Sequence, residues 1–183
     1  MAEYSGVMVH AEVAEGKLAS IAAELLGCGH KLAGDLGEEL SAVIVGSGIE
    51  GLAQEAFAAG ADKAYVVDDA MLRDYQADAC VTAVEKVVRQ AMPRILLIGQ
   101  TSIGRDLAPG LAFRLETTAI MDCIELAIDP GTKRLLRTKP VYGGNALAVF
   151  TSELNPQIAT VRTKAMTPLE PNTSRTGEVV NVA

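Results

Sequence analysis

The chain has 183 residues, a formal net charge of −7 with a pI near 4.9, 49% hydrophobic residues and only 4% aromatic ones, with no tryptophan. That length suits one domain with a full core, while the acidic balance repels nucleic-acid backbones and the scarcity of aromatic side chains removes stacking platforms for single strands. No apolar run approaches the roughly 20 residues of a membrane span, and Met1-Ala2-Glu3-Tyr4 shows neither a basic nor a long apolar leader region, so a cytoplasmic location without membrane insertion is expected.

In chain order, strand and helix signals alternate. Val7–His10 is a short apolar strand, and Leu18–Leu32 carries Leu18, Ile21, Ala22, Leu25, Leu26 and Leu32 on a helical period. Ser41–Val45 reads as a buried strand and Leu52–Ala59 as a helix with Gly60 as its cap. Ala64–Val67 is a third strand, and Asp74–Gln90 repeats Ala77, Val81, Val84 and Val88 at helical spacing. Arg94–Gly99 is a near-continuous apolar run of the kind that fills the centre of a parallel sheet, and Ile103–Leu115 is the next helix. Such β-α-β-α order predicts an α/β fold, an open doubly wound and mostly parallel sheet.

Beyond Thr117 the rhythm changes. Thr118–Ile128, Leu135–Val141, Ala146–Phe150 and Gln157–Val161 follow one another with only turns between them, marked by Asp129-Pro130-Gly131 and Asn155-Pro156. These are expected to be extra strands that extend the sheet, some of them antiparallel. From Thr167 onward proline, asparagine, threonine, serine and glycine prevail, which divides the chain into a domain over 1–166 and a linker or arm over 167–183.

Scattered, odd-numbered cysteines at Cys28, Cys80 and Cys123 argue against a disulfide framework, and neither His10 nor His30 stands in a zinc-binding spacing. Two distant histidines leave acyl-transfer chemistry without a base, so no catalytic residue is assigned. Gly46-Ser-Gly48-Ile-Glu-Gly51 matches the dinucleotide fingerprint, with Asp68 at the distance of a ribose-binding acid. Against this, the motif falls in the second strand–helix unit and Glu50 brings a negative charge to the pyrophosphate position. A stand-alone dinucleotide-binding oxidoreductase using Gly46–Gly51 is the alternative reading, and a structural turn the plainer one.

Gly99–Asp106 leaves the carboxyl end of the central strand, where open α/β sheets bind ligands. There Thr101 or Ser102 can cap the next helix and free N–H groups favour an anion, while the plainer reading is a cap with a buried Arg105–Asp106 contact. Tyr142-Gly143-Gly144-Asn145 reads as a tight turn between strands or a place of close backbone approach, and Arg134, Arg137 and Lys139 form a basic stripe just before it. Arg162 ends the last strand, either at a sheet edge or facing an anionic group.

Several stretches together resemble electron-transfer flavoprotein alpha subunits: Ile98–Pro109 (IGQTSIGRDLAP), Thr138–Ala146 (TKPVYGGNA) and Gln157–Arg162 (QIATVR). Met121-Asp122-Cys123, Ala11–Leu18 and Gly60–Asp69 fit the same pattern, so the likeness covers nearly the whole chain in order. It implies the nucleotide-hydrolase-like fold of the family's core domains, an electron carrier rather than an enzyme, and a heterodimer with the beta subunit. It also implies exchange with acyl-CoA dehydrogenase-type or other redox partners, as in β-oxidation. In the family FAD is held mainly by a further alpha-subunit domain, whose motifs do not occur in this sequence, and by the beta subunit. The resemblance places Arg162 against a flavin in bifurcating relatives, with the Tyr142–Asn145 turn nearby; the cofactor-facing set is thus Arg162, Tyr142, Gly143, Gly144, Asn145 and Thr101. Lys139 and Thr163 depart from the arginine and proline usual at those places, which leaves the bifurcating assignment open.

Overall fold

The computed structural model describes residues 3–183. Its centre is a seven-stranded sheet of β1 (Val7–His10), β4 (Leu40–Gly46), β5 (Lys63–Asp68), β6 (Ile95–Gly99), β7 (Ala119–Cys123), β11 (Gln157–Val161) and β12 (Glu178–Asn181). The spatial order is β12-β5-β4-β1-β6-β11-β7, and every pair is parallel. From β1 the chain winds outward one way through β4 and β5, then returns to add β6 on the other side. This reversal puts a switch point between β1 and β6, the place where carboxyl-end loops diverge to opposite faces.

Period-two alternation builds the two halves of the core. Val7, Val9, Ile95 and Leu97 face α1 (Ser20–Leu36) and α2 (Leu52–Ala58), where Ile21, Leu25, Leu26 and Phe57 meet them. Met8, Leu96 and Ile98 face α3 (Ala77–Ala91) and α4 (Ser102–Arg114), packing on Val84, Val88, Leu107 and Leu111. Strand residues with no accessible surface on either face explain why β1 and β6 read as unbroken apolar runs. The start of α4 presses onto β6: a Cβ on Gly104 would lie 1.8 Å from the Gly99 carbonyl oxygen, so only glycine fits there.

The strands after Thr117 divide rather than simply extending the sheet. Gln157–Val161, fully buried, inserts in parallel between β6 and β7, with Gly99 opposite Val161. In contrast β8 (Glu125–Ile128), β9 (Leu135–Val141) and β10 (Ala146–Phe150) form a separate antiparallel sheet in the order β10-β9-β8. Ile124 separates β7 from β8, and just before it Asp122, inside β7, has a φ of +64° where the register against β11 shifts. A small hairpin of β2 (Val13–Ala14) and β3 (Lys17–Leu18), turning through Glu15 and Gly16, precedes α1.

The segment from Thr167, expected to hold no strand, lies against the chain itself and ends in one. Thr167 and Pro168 press on Gly27 of α1, where a Cβ would meet the Thr167 carbonyl at 2.6 Å. Asn172 N–H donates to the Ala58 carbonyl at 2.9 Å, and Arg175 pairs with Asp62 at 2.5 Å. Glu178–Asn181 then adds to β5 as an edge strand, with Lys63 bridging Glu39 and Glu178 at 3.4 and 3.1 Å. No described helix is long and apolar enough to cross a membrane.

Candidate functional site: the carboxyl rim of β6, β11 and β7

Parallel strands deliver their following residues to one rim, and the adjacency of β6 and β11 brings Gln100, Thr101 and Arg162 there together. The Gln100 N–H donates to the Val161 carbonyl at 2.8 Å, locking the two strand ends. Thr160 is fully buried, and its hydroxyl donates to the Gln100 side-chain oxygen while accepting the Asp122 N–H at 2.8 Å. One donor and an acceptor lone pair are both used, so this hydroxyl ties three strand ends into one frame.

On that frame sits an ion pair. Arg162 anchors its own N–H on the Cys123 carbonyl at 2.9 Å. Its guanidinium clamps Asp122 through two parallel bonds, Nε to Oδ1 at 3.0 Å and Nη2 to Oδ2 at 2.7 Å, the fork geometry that gives such pairs their direction. The arginine side chain is 48% exposed and the aspartate 33% exposed, so the pair faces solvent. Hydrogen bonding from Arg162 holds the Asp122 carboxyl below its usual range against the opposing effect of burial, and the charges of Lys139 and Arg105 act in the same downward direction. The same bond raises Arg162 above its ordinary value. Arg162 is the cation in contact with this carboxylate, and the charges of Lys139 and Arg105 reach it from farther off, in a chain that is acidic overall.

Thr101 is the N-cap of α4, accepting the Gly104 N–H at 3.0 Å, and its hydroxyl proton points at Glu12 Oε2 at 2.6 Å. The rim next to it opens into a cleft of ≈ 230 Å³ lined by His10, Glu12, Ser47, Arg73 and Tyr75. Burial lowers His10 to about 4, which keeps its ring neutral at neutral pH.

The Tyr142–Asn145 turn joins β9 to β10 and belongs to the second sheet. Tyr142, Gly143 and Gly144 all have positive φ, at 52°, 66° and 94°, so the pair of glycines lets three successive residues run left-handed. Tyr142 projects into solvent at 84% exposure, and no hydrogen bond or ion pair joins this turn to Arg162 among the described residues. Beside it, β10 is an open edge whose Leu147 and Val149 are 62% and 60% exposed on one face, with Phe150 on the opposite face.

At the Gly46–Gly51 loop the backbone N–H groups of Gly48 and Ile49 donate to the two Asp68 oxygens, each at 2.8 Å. The carboxylate that spacing offers to a ribose instead occupies the anion position of the loop itself. A pyrophosphate would meet a negative charge where it needs free donors, which supports the plainer, structural reading of this motif. Sequence reasoning singled out Thr101 and Arg162 but assigned no role to Glu12, Gln100, Asp122 or Thr160. Each lies in a stretch that resembles the family, Asp122 in Met121-Asp122-Cys123, but nothing in that stretch hinted that Asp122 pairs with a residue forty positions on.

An open parallel α/β sheet with charged groups at its carboxyl rim, accompanied by a small antiparallel sheet, places the chain in the doubly wound α/β class. The chain belongs to the electron transfer flavoprotein domain family, whose model matches residues 7–183. It is 39% identical to the electron transfer flavoprotein subunit alpha of Megasphaera elsdenii over 98% of this chain and 54% of that protein. It is 41% identical to the corresponding subunit of Clostridium acetobutylicum over 88% of this chain and 48% of that one, and 39% identical to the protein FixB of Azotobacter vinelandii over 96% and 50%. The chain spans about half the length of these curated relatives.

Proposed function

We propose that this chain serves as the N-terminal domain of an electron-transfer flavoprotein alpha subunit, pairing with a beta subunit and shaping the surroundings of a flavin, with no turnover of its own. The observation that carries this reading is the rim itself: Arg162, half exposed on a rigid frame, with Lys139 and Arg105 close enough to act on the same carboxylate. In an acidic chain this is where an anionic ring or phosphate would be favoured. FAD, when bound, supplies stepwise electron transfer and gains negative charge on reduction. Arg162 stabilises that charge, Lys139 and Arg105 add to the field, and Gln100 and Thr160 keep the rim in place. The FAD is held mainly by the beta subunit and by parts of the alpha subunit outside this chain. The β10 edge, with Tyr142 at its start, forms the docking surface for the beta subunit. Residues 1–166 carry the rim and docking sheet, and 167–183 form the arm; acyl-CoA dehydrogenase-type proteins are among the exchange partners of the assembly.

The test is co-expression with the beta subunit, followed by visible absorption spectra of the isolated chain and of the complex. A colourless chain that forms a one-to-one complex, with flavin absorption in the complex only, is expected. In that complex Arg162→Ala should lower the flavin reduction potential. A chain that ignores the beta subunit and on its own retains flavin or binds NAD would overturn the proposal in favour of the Gly46–Gly51 alternative.

A further inference from the structure

Arg162 does not stand free on the rim. Its Nε and Nη2 are engaged by Asp122, leaving Nη1 as the donor without a partner among the described residues. Both members of the pair are fixed through their backbones, Arg162 by the Cys123 carbonyl and Asp122 by the Thr160 hydroxyl. Asp122 has φ at +64°, a backbone state that most side chains avoid and aspartate enters more readily. A merely incidental surface pair between long side chains lacks such anchoring on both sides.

We propose that Asp122 is a built-in counter-ion for Arg162: it restrains the guanidinium and limits how strongly it can act on a docked anion. This rests on the reading that Arg162 faces a flavin. An anionic ring competes with Asp122 for one arginine fork, so the carboxylate sets the strength of an interaction it does not itself make. Asp122 is therefore a positioning residue, and its removal should strengthen the effect of Arg162 rather than abolish it.

That sign is the test. In the FAD-loaded heterodimer with the beta subunit, the ratio of reduced to oxidised flavin is read by visible absorbance at a fixed dye-set potential. Asp122→Asn keeps an acceptor for one guanidinium N–H and removes the charge; it should raise the ratio about threefold or more, as expected for one charge at a solvent-screened site. Arg162→Ala should lower the ratio, and Asp122→Asn added to Arg162→Ala should give clearly less than its effect in the parent. Asp122→Glu, which retains the charge, should stay near the parent. If Asp122→Asn fails to assemble, Asp122→Ser carries the same comparison. A ratio lowered or unchanged by loss of the carboxylate, while Arg162→Ala still lowers it, overturns the counter-ion role alone. No effect of Arg162→Ala would instead sink the flavin-facing reading on which it rests.

Discussion

The β10 edge offers a direct test of the proposed docking surface. Leu147 and Val149 point the same way along the strand, and each leaves about three-fifths of its surface in water. Full burial of such a side chain contributes about 1.5–3 kcal/mol, so covering the exposed part of each contributes about 1–2 kcal/mol. Replacing both with lysine removes about 2–4 kcal/mol of burial, which corresponds to a dissociation constant weakened by about 30- to 1000-fold. The added charges increase that loss, because lysine at a covered edge must be desolvated. In the isolated chain the same residues touch little, so its stability from urea unfolding should change by no more than about 0.5 kcal/mol. The assay is a calorimetric titration of the parent and Leu147→Lys/Val149→Lys chains with the beta subunit. A dissociation constant within twofold of the parent, with the chain's own stability unchanged, would refute β10 as the interface.

Two further outcomes follow from the geometry. Glu38 accepts the Gly6 N–H at 2.6 Å and two nitrogens of Arg94, with Nη2 at 2.6 Å. Burial pushes its carboxyl up, but the bonds from Arg94 and Gly6 win and the folded value lies below 4.5. The stability it contributes is present above that ordinary value and is lost as pH falls through the folded one. Glu38→Gln should lower stability by about 2–4 kcal/mol at neutral pH, because a half-buried Arg94 loses its counter-charge, and should flatten the acid limb of urea midpoints measured against pH; equal midpoints at neutral pH would refute this. Asp68→Ala should cost about 1–3 kcal/mol, because the Gly48 and Ile49 N–H groups lose their charged acceptor. Added inorganic phosphate should restore part of that loss in the variant, and no protection of the variant would show that the loop does not hold an anion.

How much of this was legible beforehand depended on distance along the chain. β6 was plain because Ile95–Ile98 is apolar at every position, and α3 because its valines recur with the helical period. Glu178–Asn181 was not, since two valines between polar neighbours make no pattern; the strand exists because the open edge of β5 supplies the partner. Likewise the antiparallel reading of some later strands was right for β8–β10 yet missed that Gln157–Val161 slots in parallel beside β6. Nothing within those five residues encodes which edge they join. At the rim, Thr101 was identifiable from capping chemistry and Arg162 from its place at a strand end. Their partners Glu12 and Asp122 are brought in by the winding of the sheet, from 89 and 40 residues away in sequence.

The Asp68 bond to the Gly46–Gly51 loop can finally be seen as a tethered ligand. A carboxylate fixed at the end of β5 stands beside its two N–H donors at an effective concentration in the millimolar range or above, and needs no association from solution. Any free phosphate must displace it before binding, so the loop's apparent affinity for outside anions is reduced in proportion. The glycines keep the shape of a cofactor site while the chain acts as its own permanent competitor, and a glycine pattern alone does not distinguish an open receptor from one already occupied.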